Sequence, residues 1–273
     1  MTTYERITHH LQVRRSDHTT IHYTASGPAD GPVLVLVHGW ACRREDFDAV
    51  TAHLPAHLRV LAVDLAEHGA SRSTRDVWTM TEFARDVAAV LEAEAADTAV
   101  VAGHSLGGAV AVEVGRLLPG TVTHVVALDS LVYLSLFPAQ SSEQTEAMVR
   151  LFRDDFPGAV RGLVEAGSPA GFDPALKEAY FTKMAAVRQP AGVRAIEGLV
   201  RWDMDAALRD TRQPVTVFAV RDLTAPEAIE RYGDRLDIVL VDLGSHHFPV
   251  EAPEATAGLL AGVMSGSRSV RKP

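Results

Sequence analysis

Short apolar runs alternate with longer amphipathic segments along most of the chain. The runs are rich in Val, Leu and Ile, which is typical of strands that are buried on both faces of a sheet. Met80–Glu94 and Leu106–Leu118 have apolar residues at helical spacing, and this alternation predicts an α/β fold with a parallel, doubly wound sheet. Near the start, Tyr4–Arg15 and Thr19–Thr24 alternate in the manner of an antiparallel edge hairpin. The predicted buried strands are Val33–Val37, Val60–Val63, Ala99–Ala102, Val125–Leu128, Val215–Val220 and Ile238–Leu243.

The alternation breaks after Leu128, where about eighty residues precede the next strand, too many for a simple loop. Within this insertion, amphipathic segments are separated by Pro157, by Gly167-Ser168-Pro169 and by Pro190. We predict a helical cap over the carboxyl ends of the strands, which is where open α/β sheets bind ligands. The predicted cap helices are Gln144–Phe152, Ala159–Ala166, Pro174–Val187 and Gly192–Val200.

The predicted organisation is one α/β core with a single insertion. Residues 1–130 and 208–265 would form the core, residues 131–207 the cap, and residues 266–273 a flexible tail. Several large cap side chains could shape a pocket, but helical periodicity does not separate pocket residues from the cap's own core. These side chains are Tyr133, Phe137, Met148, Phe152, Tyr180, Met184 and Trp202.

Composition narrows the classes of function. The chain has 26 Lys and Arg against 35 Asp and Glu, a formal net charge of -9, which argues against nucleic acid or an anionic membrane as a partner. Cys42 is the single cysteine, and no Cys/His cluster has zinc spacing, so no internal disulfide and no metal site are predicted. A polar N-terminus without a long apolar stretch predicts a cytoplasmic protein. We expect a monomer or a homodimer that acts on a small molecule.

The segment Gly103-His104-Ser105-Leu106-Gly107 joins a predicted strand to a predicted helix. A sharp turn here would strain the backbone of its central serine, and small neighbours would let strand and helix approach closely. The hydroxyl would then be presented at the N-terminus of the following helix, as in the strand–turn–helix motif that carries a nucleophilic serine. The alternative is a glycine-rich connection in which the serine only caps the helix. The strand–turn–helix context favours Ser105 as a nucleophile.

This turn, together with His38-Gly39-Trp40 after an earlier strand, resembles the α/β-hydrolase superfamily. The resemblance spans Val33–Pro253 and implies the α/β-hydrolase fold. It also implies that the backbone N–H groups of Trp40 and Leu106 form an oxyanion hole. His38 and His104 would line this region or make local hydrogen bonds.

The segment Asp64–Ser71 resembles a turn of the same family that is generally structural. Glu67 departs from the family pattern, because it stands where the first glycine of the turn is usual. We expect Asp64 and Ser71 to be structural, and Glu67 to place a carboxylate near the cap.

His246 and His247 are adjacent candidates for the general base, after the last predicted strand. In the family this histidine is followed at fixed spacing by an acidic residue and then by a proline. His246 meets both spacings through Glu251 and Pro253, whereas His247 misses each by one position. The resemblance therefore implies His246 as the base, with His247 packing beside the site or lining its mouth.

Two aspartates follow strands at which members of the family carry the triad acid. Asp222 follows the seventh strand, the usual place, and gives the chain order Ser, Asp, His. Asp129 follows the sixth strand, where a minority of members, including cofactor-free dioxygenases and some lactonases, have their acid. An aspartate at that point is also common as a helix cap. Asp222 is preferred and Asp129 is kept as the alternative.

A Ser/His/Asp set implies acyl transfer without a cofactor. His246 would take the Ser105 proton during attack on a carbonyl, the acid would orient the imidazolium, and water would resolve the acyl-enzyme. The first hypothesis is hydrolysis of a carboxylic ester or lactone of a small, largely apolar substrate. Epoxide hydrolases and dehalogenases of this fold attack with an aspartate at the elbow, so Ser105 argues against both.

Two alternatives come from other classes. Asp129 and the run from His38 to Cys42 are similar to cofactor-independent dioxygenases of heteroaromatic compounds such as hydroxyquinolones, which use a histidine to deprotonate the substrate. Leu106 argues against this, because those enzymes tend to carry histidine after the elbow serine. A non-catalytic receptor for a small ligand would keep the pocket but would not need the triad candidates.

Overall fold

The computed structural model describes residues 7–266, which contain an eight-stranded sheet in the order β1-β2-β4-β3-β5-β6-β7-β8. The two pairings that involve β2 are antiparallel and all others are parallel. The strands are β1 (Thr8–Arg14), β2 (Thr20–Ser26), β3 (Val33–Val37), β4 (Arg59–Val63), β5 (Ala99–His104), β6 (Val122–Leu128), β7 (Val215–Val220) and β8 (Asp237–Val241). The predicted parallel sheet with an antiparallel edge hairpin is confirmed.

Helices pack on both faces of the sheet and fill the insertion between β6 and β7. The helices are α1 (Asp48–His53), α2 (Met80–Ala93), α3 (Leu106–Leu117), α4 (Ser142–Asp154), α5 (Phe156–Ala166), α6 (Pro174–Ala185), α7 (Ala191–Val200), α8 (Met204–Asp210), α9 (Pro226–Tyr232), α10 (Phe248–Glu251) and α11 (Pro253–Met264). Within residues 7–266, no helix has the length and apolar character that a membrane span needs. Most of the predicted tail, and the first residues of the predicted hairpin, lie outside the described residues.

The central strands are apolar throughout because each of their faces packs against a separate layer. Val35 and Val37 of β3 belong to a cluster with α2, α3 and the inserted helices. Leu34 and Leu36 point the other way and belong to a cluster with α1 and α11. Successive side chains of a strand point to opposite faces, so a strand between two helical layers needs apolar residues at every position.

Four of the inserted helices, α4, α5, α6 and α8, begin at polar caps, whereas α7 begins after Pro190 without a side-chain cap. Ser141 accepts a hydrogen bond from the backbone of Gln144, and Asp155, Asp173 and Asp203 do the same at the starts of α5, α6 and α8. Such caps satisfy N–H groups that the first turn leaves free. Pro157, which was predicted to separate two helices, instead lies in the first turn of α5, where its missing N–H costs nothing.

Candidate active site

Ser105 occupies a sharp turn between β5 and α3. Its backbone has φ 54° and ψ −121°, a conformation that persists only where the surroundings enforce it. A Cβ at Gly103 would come 1.9 Å from the carbonyl oxygen of Gly107, and a Cβ at Gly107 would come 2.3 Å from that of Val37. Both glycines are therefore required by close packing, and together they present Ser105 at the N-terminus of α3.

His246 lies on the loop after β8 and pairs with Asp129 at the end of β6. The His246 Nδ1–H donates to Asp129 Oδ2 at 2.6 Å, and Asp129 is fully buried. The other carboxylate oxygen, Oδ1, accepts the backbone N–H of Val220 at 2.8 Å. Since Nδ1 serves Asp129, Nε2 is the ring nitrogen left for a proton from Ser105, and His246 and Ser105 line the same cavity.

Asp222 does not pair with His246 in the structure of residues 7–266. It is exposed, in a short turn directly after β7, and its neighbour Arg221 pairs with Asp242 at 2.9 Å on the surface. At the end of β7, the backbone N–H of Val220, and not a side chain, contacts Asp129, the carboxylate that pairs with His246. The preference for Asp222 over Asp129 is therefore reversed by the geometry, because β7 turns outward before Asp222.

The other histidines near the site are held as neutral rings. His104 donates from Nε2 to the carbonyl oxygen of His246 at 2.8 Å, and burial together with the neighbouring His246 lowers the pKa of His104 well below its ordinary value. His247 stacks on Tyr180 with ring centroids 4.0 Å apart, and the same two causes lower its pKa. His247 thus packs beside the site, whereas His246 contacts the carboxylate.

His38 connects two loops of the core. Its Nδ1–H donates to the carbonyl of Gly39 at 2.7 Å, and its Nε2 accepts the N–H of Leu65 at 3.0 Å. Burial lowers its pKa to about 4. With both ring nitrogens engaged by backbone, His38 orients the segment that carries Trp40 and is not placed to act on a substrate.

The segment Gly39–Trp40 lies against the elbow. A Cβ at Gly39 would be 3.1 Å from Ser105 Cβ. Within residues 7–266, neither the backbone N–H of Trp40 nor that of Leu106 makes a hydrogen bond, so both donors are free for an oxyanion. The Trp40 indole donates to the carbonyl of Gly192 in the cap at 2.8 Å, and its ring is part of the cavity wall.

The turn after β4 is structural and reaches the cap. Asp64 accepts the backbone N–H groups of Arg44 and Ala70, each at 2.8 Å, and forms an ion pair with the Arg44 side chain. Glu67, at φ 61°, pairs through Oε2 with Arg188 of the insertion at 3.1 Å. The Glu67 carboxylate therefore ties the insertion between β6 and β7 to the core.

Three residues support the site without having been singled out for that role. The Ser130 hydroxyl donates to the carbonyl of Ser105 at 2.6 Å. The carbonyl of Gly167, just after α5, accepts the N–H of His246 at 2.8 Å. Glu251 accepts the N–H of Ser245 at 2.7 Å and so shapes the histidine loop. The family spacing pointed to Glu251 only as a marker, and nothing local marks Ser130 or Gly167 as neighbours of the site.

The cavity above Ser105 has a volume of about 120 Å³ and lies between the core and the inserted helices. Tyr133, Met148 and Met184 line it, whereas Phe152 packs against Trp40 and Tyr180 donates to Glu251. Among the residues that the structure describes, those that line the cavity include no Asp, Glu, Lys or Arg. Its apolar wall consists mainly of Leu136, Met148, Leu163, Met184, Ile196 and Leu199.

Among the described residues, no group of three or more His, Cys, Asp or Glu side chains is arranged to hold a metal ion. Cys42 lines the cavity, and burial raises the pKa of its thiol to about 12. A thiol in this state is a poor nucleophile at neutral pH. Of Cys42 and Ser105, the serine on the strained turn is therefore the better nucleophile candidate.

Comparison with known proteins finds one matching family model and several similar proteins. The model of the alpha/beta hydrolase family matches residues 34–259. A pimeloyl-[acyl-carrier protein] methyl ester esterase of Aromatoleum aromaticum is 30% identical over 256 residues, which cover 86% of this chain and 99% of the relative. The magnesium-chelatase 30 kDa subunit of Rhodobacter capsulatus is 38% identical over 106 residues, but the match covers only 38% of this chain and 37% of that protein. A thermophilic esterase structure from Thermogutta terrifontis has a TM-score of 0.77 at 20% identity, covering 94% of this chain and 98% of that chain.

Proposed function

The chain belongs to the alpha/beta hydrolase family, and from this we propose that it hydrolyses a carboxylic ester or lactone through Ser105, His246 and Asp129. The observation that carries the proposal is the pairing of His246 with the buried Asp129, together with a serine on a strained turn that lines the same apolar cavity as His246. A buried carboxylate that accepts the Nδ1 proton fixes the tautomer in which Nε2 is the basic nitrogen.

The steps follow from the placement of these groups. His246 Nε2 takes the Ser105 proton as the hydroxyl oxygen attacks the carbonyl carbon, and the carbonyl electron pair moves onto oxygen. The free N–H groups of Trp40 and Leu106 stabilise that oxyanion. The imidazolium returns its proton to the departing alkoxide, which leaves an acyl-serine. Water, deprotonated by His246 Nε2, then attacks the acyl carbonyl carbon. The bond to the Ser105 oxygen breaks, the imidazolium returns the proton to that oxygen, and the carboxylic acid is released.

The cavity favours an uncharged substrate. Its wall is apolar apart from the reactive groups, Tyr133, Ser135 and the neutral histidines. A carboxylate or ammonium group bound there would lose its hydration without gaining an ionic partner. We therefore propose esters or lactones with a small, largely apolar acyl part, and the ester named in the pimeloyl relative fits the same bond type.

The test combines a fluorophosphonate label with p-nitrophenyl esters of increasing chain length. Ser105→Ala should abolish labelling and lower kcat by several orders of magnitude, and Asp129→Asn should lower kcat roughly 10³- to 10⁴-fold. Asp222→Asn is the matched control, because the side chain is exposed, and it should stay within about twofold of wild type. Collapse of Asp222→Asn with an active Asp129→Asn would overturn the choice of acid. Wild type that neither labels nor hydrolyses would overturn the proposal itself.

One observation also favours a second candidate. The acid follows the sixth strand, the place associated above with cofactor-free dioxygenases. Both ring nitrogens of His38 are bonded to backbone, so His246 rather than His38 would deprotonate a heteroaromatic substrate. Aerobic incubation with a 3-hydroxy-4-quinolone, with detection of carbon monoxide, separates the two activities, because ester hydrolysis consumes no dioxygen.

A further inference from the structure

Tyr133 touches both partners of the His246–Asp129 pair. Its hydroxyl donates to Asp129 Oδ2, the same oxygen that accepts the His246 Nδ1–H. The Tyr133 oxygen also lies 3.3 Å from His246 Nδ1, and the two rings meet edge to face with centroids 5.6 Å apart. One carboxylate oxygen therefore serves two donors, and a third donor, the N–H of Val220, occupies Oδ1.

The backbone between Asp129 and Tyr133 is held in an uncommon form. Asp129 has φ 44° and Leu131 has φ 67°, values that non-glycine residues rarely adopt. The N–H of Asp129 donates to the carbonyl of Phe218 at 2.7 Å, and the N–H of Phe137 donates to the carbonyl of Tyr133 at 3.1 Å. This strained connection brings the phenol back over the carboxylate, four residues along the chain, and such strain is kept where contacts enforce it.

We infer that Tyr133 is a positioning residue that holds the Asp129 carboxylate and draws off part of the charge it presents to His246. The inference rests on the proposed function. A carboxylate oxygen that accepts a second hydrogen bond stabilises an adjacent imidazolium less well. Removing the phenol hydroxyl would therefore leave the Asp129 carboxylate with more charge to stabilise a protonated His246 ring.

The Tyr133 phenol keeps its proton throughout the pH range of the proposed assays. Burial and the neighbouring carboxylate raise the pKa of Tyr133 well above its ordinary value. The remaining titratable groups around His246 do not contact Nδ1. They are His104 on the elbow, His247 on the same loop, Glu251 at the end of α10, and Lys183 of α6, which pairs with Asp46.

The test is Tyr133→Phe, which removes only the hydroxyl. The acid limb of the kcat/KM profile for a p-nitrophenyl ester should move to higher pH by about half to one unit, because the hydrogen bond to the carboxylate is gone. Tyr232→Phe is the matched control, since this buried tyrosine also donates to a carboxylate, Asp205, at 2.8 Å but lies away from the site. A merely structural Tyr133 would lower kcat without moving the limb, and an unmoved limb overturns the inference.

A second readout does not depend on turnover. The NMR titration of the His246 ring in the substrate-free protein should show the same upward shift of its midpoint in Tyr133→Phe and none in Tyr232→Phe. If wild type hydrolyses no ester yet the midpoint moves, the proposed function fails while the electrostatic role of Tyr133 stands. If esters are hydrolysed and the midpoint does not move, only the role of Tyr133 fails.

Discussion

Replacing Gly167 by alanine should displace His246, the proposed base, through the insertion. Gly167 follows α5, and its carbonyl accepts the N–H of His246 at 2.8 Å. A Cβ at this position would lie 2.9 Å from His246 Cβ and 3.4 Å from His246 Cγ. The backbone at Gly167 has φ −87° and ψ 8°, a region with negative φ that is open to alanine as well as to glycine. Contact with His246 is therefore the main obstacle to the new methyl group.

The size of the effect follows from the distance. Carbon atoms in contact prefer about 3.5–4.0 Å, so His246 or the end of α5 must move by about 0.6 to 1 Å. Displacements of that size in a reacting group cost up to roughly 100-fold in rate. We expect kcat/KM to fall about 10- to 100-fold, with an overpacking cost of about 1–3 kcal/mol in the free energy of unfolding.

The assay is steady-state hydrolysis of a p-nitrophenyl ester, together with the rate of fluorophosphonate labelling and urea unfolding. Gly162→Ala is the matched control, because Gly162 lies in α5, the helix that Gly167 follows, and a Cβ there would meet no atom within 4 Å. That variant should keep full activity and gain about 0.5–1 kcal/mol. If Gly167→Ala folds as well as the control and keeps wild-type kcat/KM, the end of α5 does not set the position of the base.

Two further predictions concern the cap and the pH dependence of stability. Arg188→Ala removes the ion pair with Glu67 that links the insertion to the core. KM should rise several-fold, and limited proteolysis should cut the insertion faster than in wild type. An unchanged rate of proteolysis would show that this ion pair does not hold the insertion in place. Burial lowers the pKa of His38 to about 4 and that of His68 to about 3, so below about pH 6.5 the unfolded chain binds more protons than the folded one. The free energy of unfolding should therefore fall as pH drops from 6.5 towards 4, by up to about 1.4 kcal/mol per unit for each ring. Urea midpoints that do not change between pH 7 and 5 would show that the rings are not buried as neutral groups.

The elbow could be predicted from the sequence because its physics is local. Close approach of strand and helix demands Gly103 and Gly107, and the strained serine follows from those neighbours. The choice of acid could not be predicted, because Asp129 and Asp222 both follow strands. What separates them is that β6 and β7 are neighbours, so the backbone of Val220 closes onto Asp129. That contact exists only in the assembled sheet.

The residues that line the cavity could likewise not be predicted from the sequence. Met148 and Phe152 are one turn apart on α4, so helical periodicity places them on the same face. In the structure Met148 lines the cavity, whereas Phe152 is buried edge-on against Trp40, with ring centroids 5.7 Å apart. The difference depends on where α4 crosses the core, which is set by the packing of five inserted helices and not by the sequence of one.

His246, the proposed base, is positioned by segments that are far apart in the chain. Asp129 and Tyr133 come from the loop after β6, Gly167 from the cap, and Glu251 from the helix after the histidine loop. Since Gly167 binds the backbone of His246 directly, a substrate that displaces α5 also displaces the base. Changes at the end of α5 should therefore alter kcat together with KM, whereas a segment that only gated entry would alter KM alone.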